Sequence, residues 1–167
     1  IDAAARIPVQ IVMEAVGADT QEYEDRMRKK VAGKKNIVWI HENLGDLKNR
    51  ELYSGARVFV CPSVYEPFGI INLEAMACEI PVVASAVGGI LEVVVPGETG
   101  LLVKAGQADQ IARAVNALLR DPDRSREMGR KGRKRVEDHF SWESIAQKTK
   151  AMYESLCRGG KAGEKSG

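Results

Sequence analysis

The sequence predicts an α/β domain built on a Rossmann-like, doubly wound parallel sheet, and three observations lead there. Short apolar runs alternate with segments of helical period along most of the chain. The runs are near-continuously apolar, as strands covered on both faces are. After Val103 the runs cease, and helices close the sequence.

In order, Val9-Gln10-Ile11-Val12-Met13 reads as the first strand, followed by a charged helix from Thr20, an apt N-cap, to about Ala32. Ile37-Val38-Trp39-Ile40 is the second strand, with a helix over 46–54 behind it. Val58-Phe59-Val60-Cys61 is the third, stopped by Pro62, which has no N–H for a ladder. Then come a helix over 69–78, a strand over 82–84, a short helix over 90–95 and a last strand, Leu101-Leu102-Val103. Residues 109–119 form an amphipathic helix with Ile111, Val115, Leu118 and Leu119 on one face. Helices over 124–136 and 141–156 follow, the latter with Trp142, Ile145, Met152 and Tyr153 in an apolar stripe, part of it exposed. Residues 1–157 are expected to form one domain, and 158–167, rich in glycine and charge, a flexible tail.

A chain of 167 residues has room for a real core. Its 25 Lys+Arg against 23 Asp+Glu leave a net charge of +2, which exerts no general pull on nucleic acid or anionic membrane. No apolar run approaches the roughly 18 residues that span a bilayer, and Ile1-Asp2-Ala3-Ala4 lacks the layout of a signal peptide. Cys61, Cys78 and Cys157 are far apart and in no paired spacing, so reduced thiols in a cytoplasmic protein are expected, with Cys61 and Cys78 in the core. His41 and His139 have no metal-ligand spacing. Asp121-Pro122-Asp123 sits between two helices and reads as a stop followed by an N-cap. The basic run Arg124, Arg126, Arg130, Lys131, Arg133, Lys134, Arg135 is interleaved with Glu127, Glu137 and Asp138 and holds no aromatic platform, so it reads as a solvated helix face. No metal, no cofactor and no nucleic-acid partner are expected.

The chemistry concentrates in Pro62-Ser63-Val64-Tyr65-Glu66-Pro67-Phe68-Gly69-Ile70-Ile71-Asn72-Leu73-Glu74-Ala75-Met76-Ala77, at the carboxyl end of a strand and the start of the next helix, where such sheets bind ligands. Free N–H groups in the helix's first turn, about Gly69, Ile70 and Ile71, suit a phosphate. Glu66 and Glu74 bracket them, and a carboxylate that accepts from vicinal hydroxyls fits ribose or hexose. Sugar, phosphate and ribose in a row describe a nucleotide-sugar site.

The stretch SVYEPFGIINLEAMACEIPVVASAVGGILEVVVPGETGLLV, and more broadly Trp39 to Val103, resembles the retaining glycosyltransferases of the GT-B fold, and among them the bacterial glycogen synthases. Those proteins join two Rossmann-like domains, and this chain resembles the C-terminal, donor-binding half. The resemblance implies that Glu66, as the catalytic carboxylate, contacts hydroxyls of the transferred sugar. It places the backbone of Phe68, Gly69, Ile70 and Ile71 on sugar and diphosphate, Glu74 on the ribose, and Asn43 and Leu44, in the loop His41-Glu42-Asn43-Leu44, near the base. Gly88-Gly89 stand where the family has a Gly-Gly-x-Pro-Glu turn near the phosphates; here Leu91 replaces the proline and Glu92 is kept.

The activity so implied is transfer of glucose from ADP-glucose to a glucan with retention and without metal. A UDP- or GDP-sugar donor, or a nucleotide-binding module without catalysis, are the alternatives. A redox Rossmann enzyme does not fit, since no Gly-x-Gly-x-x-Gly follows any predicted strand. Against the family, the acceptor domain and the first donor-domain strand, with the Arg and Lys of its following loop, have no counterpart; Ile1–Arg6 resembles the end of the helix after that strand. In a 3-2-1-4-5-6 sheet the first strand is central, so two unpaired edges and a chain close to inactive on its own are expected.

Overall fold

The computed structural model describes residues 1–14 and 20–160. All five strands pair in parallel, but in two sheets. β1 (Ile11–Glu14) lies beside β2 (Ile37–Ile40), with Ile11 opposite Ile37 and Glu14 opposite Ile40. β3 (Phe59–Cys61), β4 (Val82–Ser85) and β5 (Gly100–Val103) form the second sheet in that order. Among the described residues these are the pairings that strands 2-3 and 4-5-6 make in a 3-2-1-4-5-6 sheet. Among the described residues β1 bonds only to β2, and β3 only to β4, so the fold leaves the expected gap unclosed. Ile11 and Val60 nevertheless pack against one buried cluster, which ties the two sheets into a common layer.

β4 is the centre of that layer, buried along its whole length. Its alternating side chains split the core in two. Val82 and Ala84 meet Ala75, Met76, Ile90, Val93 and Val94 on one face, while Val83 meets Val103, Ala112, Val115, Leu118 and Met128 on the other. Each fully buried Val or Leu contributes about 1.5–3 kcal/mol relative to exposure. This two-sided burial is why the strand shows no apolar–polar alternation.

The helices are α1 (Gln21–Val31), α2 (Gly45–Gly55), α3 (Ile70–Ala77), α4 (Ile90–Val93), α5 (Ala108–Arg120), α6 (Pro122–His139) and α7 (Trp142–Gly160), and Ala4–Arg6 form a single 3₁₀ turn at the start. The Thr20 hydroxyl accepts from the Tyr23 amide at 3.2 Å, so α1 is capped as expected. α4 stops before the expected residue 95, since Pro96 disfavours helix at Val95 and Val94 turns extended into the core. α6 starts earlier than expected because Pro122 fits the first helical turn and the Asp121 carboxylate accepts from the Arg124 amide at 3.0 Å. α7 runs past residue 156 to Gly160, so the expected tail from 158 is helical at its beginning; 161–167 lie outside the described residues. Ser141 caps α7 by accepting from the Ser144 amide at 3.2 Å.

α6 crosses α3 at close range. A methyl group on Gly129 would sit 1.9 Å from the Glu79 carbonyl oxygen, and Glu79 itself adopts φ +60 at the turn after α3. The charges on α6 are largely spent within the helix: Arg126 pairs with Asp123, Arg130 with Glu127 at 2.8 Å, Arg133 with Glu137 at 2.9 Å and Lys134 with Asp138 at 2.9 Å. The run is a solvated face laced with i,i+3 and i,i+4 pairs. Cys61 is buried, Cys78 half-buried and Cys157 exposed, and all three are free thiols. On α7 the stripe of Trp142, Ile145, Met152 and Tyr153 is exposed, Trp142 by 84%. Among the described residues no helix is long and apolar enough to cross a membrane.

Candidate functional site

The candidate site lies at the carboxyl ends of β3 and β4. Pro62 ends β3, and the chain runs through Glu66 and Phe68 to Gly69, the N-cap of α3 at φ +96. Only glycine takes that left-handed conformation freely, and it offers no side chain to cap the helix. The first-turn amides of Ile70 and Ile71 are therefore left without a side-chain acceptor, and no acidic residue in that turn offsets the positive helix end. Around this backbone Phe68, Ile70 and Ile71 keep their side chains substantially exposed.

Gly88 and Gly89 close against the same loop. The Gly89 amide donates to the Glu66 carbonyl at 3.0 Å. A methyl group on Gly88 would lie 2.0 Å from that carbonyl oxygen, and one on Gly89 would lie 2.5 Å from the Phe68 Cα. The two glycines thus have a packing reason of their own: they let the turn after β4 approach the Glu66–Phe68 backbone.

Glu66 and Glu74 reach the site from different supports. The Glu66 carboxylate accepts from the Ser63 hydroxyl at 3.5 Å, and Ser63 in turn lies 3.5 Å from the buried Cys61 sulfur. Glu74, fifth residue of α3, accepts from the Tyr53 hydroxyl at 3.0 Å. Burial pushes the Tyr53 hydroxyl well above the usual phenol range, and the adjacent Glu74 carboxylate pushes it further. The phenol therefore stays protonated and serves as a donor.

The loop expected near the base stands apart in the fold: it follows β2, in the other sheet. The Asn43 side-chain oxygen accepts from the Gly45 amide at 3.0 Å, so it is engaged in turning the chain into α2, with Leu44 as the N-cap. Asp121 is likewise engaged as a cap and Asp123 pairs with Arg126, which leaves Asp121-Pro122-Asp123 a helix junction. Among the described residues no three His, Cys, Asp or Glu side chains gather as a ligand set.

Three residues around the site escape sequence reasoning. Tyr53 is 21 positions from Glu74 and on another helix, so no local pattern signals their pairing. Ser63 is part of the loop, but its reach to Glu66 depends on how the loop folds back. Asn72 is fully buried: its side-chain amide donates to the Gly69 carbonyl at 3.3 Å, while its Oδ1 finds no partner. A polar residue among apolar ones in the first turn was the available signal for it.

Comparison with known proteins shows the family and the fold. Residues 1–135 match the family described as Glycosyl transferases group 1. The alpha-maltose-1-phosphate synthase of Mycolicibacterium smegmatis is 47% identical over 158 residues, covering 89% of this chain and 41% of that protein. The glycogen synthase of Mycobacterium tuberculosis is more distant, 34% identical over 131 residues, covering 77% of this chain and 32% of that protein. Among solved structures, the sucrose-phosphate synthase of Thermosynechococcus elongatus superposes with a TM-score of 0.78 at 35% identity, covering 95% of this chain and 41% of that one. The chain spans about two-fifths of the length of the curated maltose-1-phosphate synthases it matches. With four-fifths of its sequence matching the family and its parallel α/β architecture superposing on a solved relative, this chain belongs to the group 1 glycosyl transferases and has the fold of one Rossmann-like half of a GT-B protein.

Proposed function

We propose that the chain is the donor-binding half of a hexosyltransferase that moves glucose from a nucleotide sugar with retention of configuration. The observation that carries the reading is the placement of Glu66 before, and Glu74 within, a helix whose first amides have no side-chain cap. In this reading Ile70 and Ile71, with Gly69 and the backbone of Phe68, hold the diphosphate and sugar, and Gly88-Gly89 wall that space. Glu66 takes hydroxyls of the transferred sugar, and Glu74 takes the ribose. As the sugar leaves, charge grows on the diphosphate, and preorganised N–H donors at a positive helix end stabilise it without a metal.

ADP-glucose is the donor we favour, with a UDP- or GDP-sugar as the alternative. For the acceptor, the relative at 47% identity is named for making maltose 1-phosphate, which supports a sugar phosphate. The glycogen synthase at 34% identity supports a glucan as the second reading. Calorimetric titration of the chain with ADP-glucose and UDP-glucose tests the donor site. Saturable binding of one, abolished by Glu74→Ala, is the expected result. No binding of either by a chain that is folded by circular dichroism would sink the reading.

A further inference from the structure

We propose that Tyr53 is a positioning residue for the nucleotide ribose, holding Glu74 by one carboxylate oxygen so that the other faces the sugar hydroxyls. The inference rests on the reading above of Glu74 as the ribose carboxylate. The Tyr53 hydroxyl donates to Glu74 Oε2 at 3.0 Å, and among the described residues Glu74 Oε1 accepts from no group. The donor is rigid: Tyr53 sits in the last turn of α2, packs against the core cluster around Met76 and meets the Phe59 ring edge-on at 5.5 Å. Glu74 is solvent-exposed and unbranched, so without a partner its carboxylate samples many rotamers, and binding must then order it.

Glu66 provides the contrast. Its partner, Ser63, is small, belongs to the same loop and stands at 3.5 Å, so it restrains the carboxylate far less. Tyr53 joins two different helices instead. That tie alone could be a device for stability, so the test must separate orientation of the carboxylate from attachment of α2 to α3.

The experiment titrates the chain with ADP and UDP, each against its 2′-deoxy form, in the parent, Tyr53→Phe, Glu74→Ala and the double variant. Tyr53→Phe removes a single oxygen and keeps the ring packing, and its unfolding midpoint is measured alongside. The parent is expected to prefer the ribonucleotide by roughly tenfold, the size of one hydrogen bond to a charged group. Tyr53→Phe should narrow that preference to within about threefold while leaving 2′-deoxynucleotide affinity unchanged. Glu74→Ala should erase it, and Tyr53→Phe should add nothing in the double variant. If Tyr53→Phe keeps the full preference, or weakens both nucleotide forms equally, Tyr53 only ties the helices and the proposal falls while the ribose reading stands. If Glu74→Ala keeps the preference, or the folded parent binds no nucleotide, the ribose reading falls and takes the proposal with it.

Discussion

The amide of Gly89 donates to the carbonyl of Glu66 at 3.0 Å, joining the turn after β4 to the loop that carries the candidate catalytic carboxylate. The backbone at Glu66 is thus held by contact between two loops, one following β3 and the other following the fully buried β4. A methyl group on Gly89 would meet the Phe68 Cα and the Pro67 carbonyl at 2.5 Å. Gly89→Ala is therefore expected to lower stability by about 2–4 kcal/mol, read from denaturant unfolding, and to abolish nucleotide-sugar binding. An alanine variant with unchanged midpoint and affinity would show that the loops can part without consequence.

Glu66 itself is half-buried and lightly held, so Glu66→Gln should leave the unfolding midpoint within about 0.5 kcal/mol of the parent. In a protein carrying this chain with its acceptor half, the same change is expected to cut sugar transfer by about a hundredfold or more, while a nucleoside diphosphate still binds. Transfer rates with glucose 1-phosphate and with glycogen as acceptors check this, and also decide between the two acceptor readings.

Gly129 offers a control remote from the ligand. Its missing side chain lets α6 lie against the Glu79 carbonyl, whose oxygen would stand only 1.9 Å from a methyl group there. Gly129→Ala should destabilise the chain by about 2–4 kcal/mol, yet leave affinity unchanged in whatever fraction remains folded. Loss of binding at full folding would connect α6 to the site in a way the packing does not.

Asp121 separates helix capping from metal binding. Asp121→Asn keeps an oxygen that can accept from the Arg124 amide, whereas Asp121→Ala removes it at a cost of about 1 kcal/mol. Neither substitution, nor EDTA, is expected to change nucleotide-sugar affinity in calorimetry. Loss of affinity on chelation would reopen a metal role at the site.

Much of the fold is legible in the sequence because the core is layered on β4, of whose four buried residues the first three, Val82-Val83-Ala84, read directly as an apolar run. Boundaries were less legible where a neighbour outside the run decided them. The first ladder opens at Ile11, whose amide bonds the Asn36 carbonyl at 2.7 Å, and Val9 stays outside it. α6 gained its first turn from Asp121 and Pro122, which composition alone marks as a stop. At the site, the carboxylate-flanked helix start could be located from spacing, but its supports could not. Tyr53 and Glu74, or Glu66 and Gly89, meet only after α2, α3 and the turn after β4 have packed. The resemblance to glycogen synthases gives the right family, in which the glycogen synthase, at 34% identity, is more distant than the maltose-1-phosphate synthase at 47%.

Among the described residues β1 pairs only with β2 and β3 only with β4, and the other side of each strand is an edge on which extended chain can pair. The exposed Val12 on β1 offers apolar surface beside one of these edges. In concentrated solution such edges recruit one another, so the isolated chain should self-associate with rising concentration, visible as a growing sedimentation coefficient. A short, β-branched peptide supplied in trans should compete for the same groove, restore monomers and raise the unfolding temperature together. Solubility and strand pairing are then one property, adjustable from outside the chain.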